Sequence, residues 1–125
     1  MARILVAEDE RDIRELVGFA LRFAGHEVVL ASNGEEAYEM AQEIVPTLIL
    51  TDVRMPKMTG YELCRRLKET EAVKHIPVVI LSAKGQDEEI EQGRDSGAVD
   101  YILKPFAPHE LGQRVSEILQ RLNIT

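Results

Sequence analysis

Short apolar runs alternate with amphipathic stretches from one end of the chain to the other. Ile4-Leu5-Val6-Ala7, Leu48-Ile49-Leu50 and Val78-Val79-Ile80-Leu81 contain no polar residue. Such unbroken runs predict strands covered on both faces, as in a parallel sheet, because a strand with one wet face would alternate polar and apolar positions. Val28-Val29-Leu30 is short, and the stretch from Val99 to Leu103 is interrupted by Asp100 and Tyr101. These weaker strands suit the two edges of the sheet.

The segments between the runs carry helical spacing. Ile13, Leu16, Val17, Ala20 and Leu21 recur at three- and four-residue intervals, and Gly25 supplies a stop. Asn33 is placed to cap a second helix with a stripe of Ala37, Met40, Ala41 and Ile44, ending before Pro46. A third helix is expected over about Tyr61 to Lys68, with Leu63 and Leu67 facing inward, and a fourth over about Gln86 to Ser96. The last follows Pro108 and carries Leu111, Val115, Ile118, Leu119 and Leu122. Strand and helix thus alternate through five of each, which predicts an α/β fold with a doubly wound parallel sheet and helices on both faces. Right-handed crossovers bring every strand's carboxyl end to one edge, where such folds place their sites. The 125 residues fit one domain, 1–125, with no linker or internal repeat.

Composition narrows the setting. The single cysteine, Cys64, cannot form an internal disulfide, so a reducing cytoplasm is the expected location. No apolar run approaches the roughly 18 residues of a membrane span, and Met1-Ala2-Arg3 enters a strand directly, without room for a secretion signal. A net charge of −7, with fifteen basic residues scattered among twenty-two acidic ones, argues against direct nucleic-acid binding. His26, His75 and His109 have no metal-ligand spacing and read as surface or turn residues.

The predicted carboxyl edge gathers the candidate chemistry. The first strand runs into Glu8-Asp9, the third into Asp52, the fourth into Ser82-Ala83 and the fifth into Lys104-Pro105. Each has a plain alternative: Asp9 as a helix cap, Ser82 as a loop hydroxyl, Lys104 as a surface charge. Together they place three carboxylates, a hydroxyl and a lysine at one sheet edge. Crowded carboxylates repel unless a cation lies among them, and Mg²⁺ suits an all-oxygen site with few direct protein ligands.

The run Leu50-Thr51-Asp52-Val53-Arg54-Met55-Pro56-Lys57-Met58-Thr59-Gly60 resembles the phosphoacceptor loop of response-regulator receiver domains. Glu8-Asp9, Ser82-Ala83 and Lys104-Pro105 match that family's other signatures in order and spacing, so the resemblance covers essentially the whole chain. It implies a flavodoxin-like five-stranded sheet of order 2-1-3-4-5 and a signalling switch in place of a turnover enzyme. Asp52 would accept a phosphoryl group from a histidine kinase or histidine phosphotransfer protein. Asp9, Asp52 and the Arg54 carbonyl would ligate Mg²⁺, with Glu8 assisting through water. Lys104, the Ser82 hydroxyl and the amides of Arg54 and Ala83 would bind the phosphoryl oxygens. The family also implies a cis bond before Pro105. Gly60, opening the third helix, is expected to supply a backbone angle that other residues resist. Glu8 stands where many relatives have Asp, and Ser82 where many have Thr; both keep the functional group.

The resemblance extends to signal output. Family members couple the hydroxyl at the Ser82 position to an aromatic at the Tyr101 position, and present the face of the fourth helix, fifth strand and last helix to a target. Among the residues from Gln86 to Ser96, Ile90 is the one large apolar side chain, so that segment is expected to be the moving part. Arg54 and Lys84 occupy positions that tune acyl-phosphate lifetime, and neither can readily orient a water, which implies slow hydrolysis. Phe19 and Phe23 lie beside the first helix's main stripe, where they either complete the core or, with Arg11, Arg14, Gly18 and Arg22, border a docking surface for the phosphodonor. The target is a separate protein or a fused effector domain, and a phosphorylation-dependent dimer is open.

Two other readings share parts of this pattern. An aspartate-nucleophile, Mg²⁺-dependent phosphohydrolase would have a second acid two residues after its nucleophile, where this chain has Arg54. A cofactor-binding flavodoxin-like protein would need a phosphate-cradling loop after the first strand, where Glu8-Asp9-Glu10 would repel phosphate unless a metal intervened.

Overall fold

The computed structural model describes residues 2–83, 97–104 and 106–122. Its elements, in chain order, are β1 (Arg3–Ala7), α1 (Arg11–Phe23), β2 (Glu27–Ala31), α2 (Gly34–Ile44), β3 (Leu48–Asp52), α3 (Gly60–Lys68), β4 (Val78–Ala83), β5 (Asp100–Lys104) and α4 (Pro108–Arg121). The helix expected over Gln86–Ser96 lies outside the described residues, as do Lys84 and Pro105 with its expected cis bond. The described residues therefore contain four of the five expected helices.

The sheet is parallel throughout, in the order β2-β1-β3-β4-β5, so the two weakest runs form its edges as expected. Strand periodicity divides the core in two. Leu5, Ala7, Ile49, Val78 and Ile80 point to the face covered by α2 and α3. Ile4, Val6, Leu48, Leu50, Val79 and Leu81 point to the face where α1 and α4 pack on each other. Two buried faces explain why the central runs tolerate no polar residue.

Helix ends follow local chemistry. Asn33 caps α2 by accepting from the Glu36 amide, and Thr59 and Glu62 form a reciprocal capping box at α3. Gly25, at φ 96°, turns the chain after α1. The α2 terminus is less comfortable: Val45, a β-branched residue, takes the left-handed conformation at φ 43°.

Three expectations are corrected here. Leu16, assigned to the inner stripe of α1, is 41% exposed; the buried residues are Val17, Gly18, Ala20 and Leu21. Phe19 and Phe23 do not complete the core. They are 63% and 86% exposed, stack with ring centroids 6.1 Å apart, and line a groove of about 490 Å³ against α4, beside Ala20, Ala24 and Gly112. The fifth strand begins at Asp100, one residue later than expected, and the Asp100 carboxylate there pairs with Arg114 and Arg121 of α4.

Candidate functional site

The parallel register alone puts the acids at one level. Ala7 pairs with Thr51, so the next residues, Glu8 and Asp52, leave β1 and β3 side by side. Asp52 pairs with Leu81, which places Ser82 one step further along β4, and Ala83 is level with Lys104 of β5. Ligand atoms of Glu8, Asp9 and Asp52 all lie within 4.8 Å of one another. Lys104 reaches across the end of β4 and donates from Nζ to Asp52 Oδ1 at 2.8 Å, with Glu8 Oε2 at 3.8 Å.

Burial makes this arrangement electrostatically tense. The Glu8 side chain is 0% exposed, that of Asp52 14% and that of Lys104 25%. Glu8 Oε1 accepts a long bond from the Glu10 amide at 3.4 Å, whereas Oε2 is buried with no geometric hydrogen-bond partner. Burial, and then the neighbouring Asp52 charge, push the Glu8 carboxyl up from 4.5 to about 7, against the opposing pull of Lys104. An all-oxygen donor set with an unsatisfied buried carboxylate oxygen fits a hard divalent cation of the Mg²⁺ type.

The loop after β3 is held against the same edge. Val53, Met55 and Met58 are buried, and the Arg54 side chain is exposed. Lys57 takes φ 71°, the Met58 amide donates to the Pro56 carbonyl, and the Gly60 amide donates to the Val53 carbonyl at 2.9 Å. Gly60 was expected to supply an unusual backbone angle, but the positive-φ glycines among the described residues are Gly25 and Gly97. The reason for glycine is proximity: a Cβ there would overlap the carbonyl oxygen of Asp52. Thr51, fully buried, donates its hydroxyl to that same carbonyl at 2.9 Å.

Asp9 is not a helix cap; the cap position of α1 is Glu10, which makes no side-chain cap bond. Ser82 is not a loop hydroxyl but a fully buried residue of β4. Lys104 is not a free surface charge. Tyr101 is partly buried against the α2–α3 side of the core. Two positions differ from the docking border expected on α1: Gly18 is buried against Leu30, and Arg14 turns to the acidic loop, donating from Nη1 to the carbonyls of Glu8 at 2.9 Å and Asp9 at 3.3 Å. Only its spacing, one helical turn beyond the acids, could have signalled this. His75 and His109 are exposed, while His26 is partly buried and accepts from the Ala2 amide.

Comparison with known proteins agrees with this geometry. The family model described as the response regulator receiver domain matches residues 4–116. The chain is 43% identical over 118 residues to the phosphate regulon transcriptional regulatory protein PhoB of Pseudomonas aeruginosa, covering 94% of this chain and 52% of that protein. It thus spans about half the length of the curated relatives it matches. The solved structure of the chemotaxis response regulator CheY4 of Vibrio cholerae superposes with a TM-score of 0.89 at 34% identity, over 95% of this chain and 99% of that one. The receiver domain of the Pseudomonas aeruginosa sensor histidine kinase PA1611, described with a magnesium ion coordinated in its active-site cleft, gives 0.84 at 29% identity, over 96% and 95%. With this sheet order, this acidic edge and a family match across residues 4–116, the chain belongs to the response regulator receiver domains.

Proposed function

We propose that this domain is a phosphorylation-dependent switch whose phosphoryl acceptor is Asp52, supplied by a histidine kinase or histidine phosphotransfer protein. The observation that carries the reading is the 2.8 Å contact from Lys104 to Asp52, made across β4 beside two further carboxylates. A carboxylate oxygen of Asp52 forms the new O–P bond as the P–N bond to the donor imidazole breaks, and the imidazole leaves with the electron pair. Asp9, Asp52 and the Arg54 carbonyl would hold Mg²⁺, with Glu8 acting through water. Bound there, the ion would offset the carboxylates' repulsion and the charge on the transferring phosphoryl group.

The remaining roles belong to the chain itself. Lys104 loses its ion-pair partner when Asp52 becomes an acyl phosphate, and its ammonium then serves a phosphoryl oxygen. The Ser82 hydroxyl and the amides of Arg54 and Ala83 complete the phosphoryl site. Movement of Ser82 is coupled to Tyr101, and alters the face of β5 and α4. A separate target protein or a fused effector reads that face, with dimerisation as one form of output. Direct nucleic-acid contact is not assigned to this acidic domain, and a cytoplasmic location suits such partners. Among the described residues no helix is long and apolar enough to cross a membrane.

The test is incubation with a small-molecule phosphodonor and Mg²⁺, followed by intact mass measurement. The wild type should gain the mass of one phosphoryl group. Asp52→Asn, or chelation of the metal, should abolish the gain. Undiminished labelling of Asp52→Asn, or many turnovers of a simple phosphoester, would overturn the switch in favour of another acceptor or a hydrolase.

A further inference from the structure

The loop that carries Glu8 and Asp9 has a backbone problem that the acids do not solve. β1 ends at Ala7, and the helical ladder of α1 opens with the Arg14 amide donating to the Glu10 carbonyl at 2.9 Å. The carbonyls of Glu8 and Asp9 fall between the two ladders. Glu10 contributes no side-chain cap, so the junction is not fixed in that way either. The Arg14 guanidinium supplies the missing bonds. Its Nη1 donates to the Glu8 carbonyl at 2.9 Å and to the Asp9 carbonyl at 3.3 Å, from a side chain that is itself half-buried. One planar, permanently charged group thereby holds the main chain of both acids.

From this geometry we infer that Arg14 is a positioning residue of the metal site, fixing the Glu8–Asp9 main chain so that both carboxylates meet Asp52 within cation-binding distance. The inference rests on the Mg²⁺ site proposed above. The guanidinium bonds the main-chain carbonyls of the two acids and not their carboxylates. Outer residues that orient metal ligands in this way commonly change affinity by about 10- to 100-fold. An opposing effect is also present: a cation near a metal site repels the ion, so mere removal of charge would tighten binding. The two effects have opposite signs, and affinity separates them.

The experiment is calorimetric titration of Mg²⁺ into the wild type, Arg14→Ala, Arg14→Lys and Asp52→Asn, with thermal unfolding of each metal-free protein. The wild type should bind one ion. Arg14→Ala should bind about 10-fold or more weakly, a loss disproportionate to any change in its metal-free Tm, and Arg14→Lys should fall in between. Equal or tighter Mg²⁺ binding by Arg14→Ala overturns the inference, as does a fall in Tm with unchanged affinity. Should Arg14→Ala fail to fold, Arg14→Lys decides, since wild-type affinity there would show that the planar fork is not needed. Absence of Mg²⁺ binding by the wild type would instead remove the underlying site, and the inference with it.

Discussion

The two ends of the sheet are both irregular, for different reasons. At the amino end, the Ala2 amide donates to His26 Nδ1, the Glu27 amide to the Ala2 carbonyl, and the Thr47 amide to the Arg3 carbonyl. The awkward features there are the left-handed Val45 and the buried His26 Nε2, which has no hydrogen-bond partner. At the carboxyl end, two irregularities meet at Asp52, a glycine with no room for a Cβ and a buried Glu8 carboxylate oxygen with no hydrogen-bond partner, and the loop that follows carries a left-handed Lys57. Strain at the first end only terminates a helix. At the second it falls among the clustered carboxylates, the kind of place where a fold tolerates cost for function.

The contrast can be broken most forcefully at Gly60. Gly60→Ala should lower unfolding free energy by about 2–3 kcal/mol, as an added methyl meets the Asp52 carbonyl, and should impair phosphoryl acceptance together with stability. Denaturant titration and phosphodonor labelling on the same sample check both. Ordinary stability with ordinary labelling would mean that the loop does not need this close approach.

Glu8 makes the carboxyl end sensitive to pH. Its folded carboxyl is raised from 4.5 to about 7, so the fold prefers its protonated form. That contribution to stability is fully present below 4.5 and is lost as pH rises through about 7. In the presence of a chelator, the wild type should therefore lose stability between pH 5 and 8 by an amount that Glu8→Gln largely removes. Parallel pH profiles for the two proteins would contradict the burial argument. The smallest effect belongs to the other end: Val45→Gly should stabilise by about 1 kcal/mol by relieving the left-handed β-branched residue, with phosphoryl acceptance unchanged.

Much of this was legible in the sequence because it follows from periodicity. The unbroken runs located the strands to within a residue or two, and the chemistry after each run located Glu8, Asp9, Asp52 and Lys104. Strand order was available only through the resemblance, since alternation of elements does not choose among doubly wound orders. The misread positions are those where side-chain direction outweighs spacing. Leu16, Phe19 and Phe23 share a helix with the core stripe, but the buried face of α1 is confined to Val17, Gly18, Ala20 and Leu21 and leaves them outward. Arg14 was assigned to the border of a docking surface because nothing in a sequence reveals which backbone carbonyls its guanidinium will meet. Gly60 suggested torsion, whereas the constraint was a neighbouring strand end.

The central claim is that Asp52, and no other group, carries the phosphoryl bond. Brief phosphodonor treatment with Mg²⁺, borohydride reduction of the acyl phosphate to homoserine, and peptide mass spectrometry would locate it directly. Conversion at position 52 alone, lost when Mg²⁺ is chelated, is the predicted result. Conversion at Asp9, Glu8 or any other acid, with position 52 intact, would contradict the account.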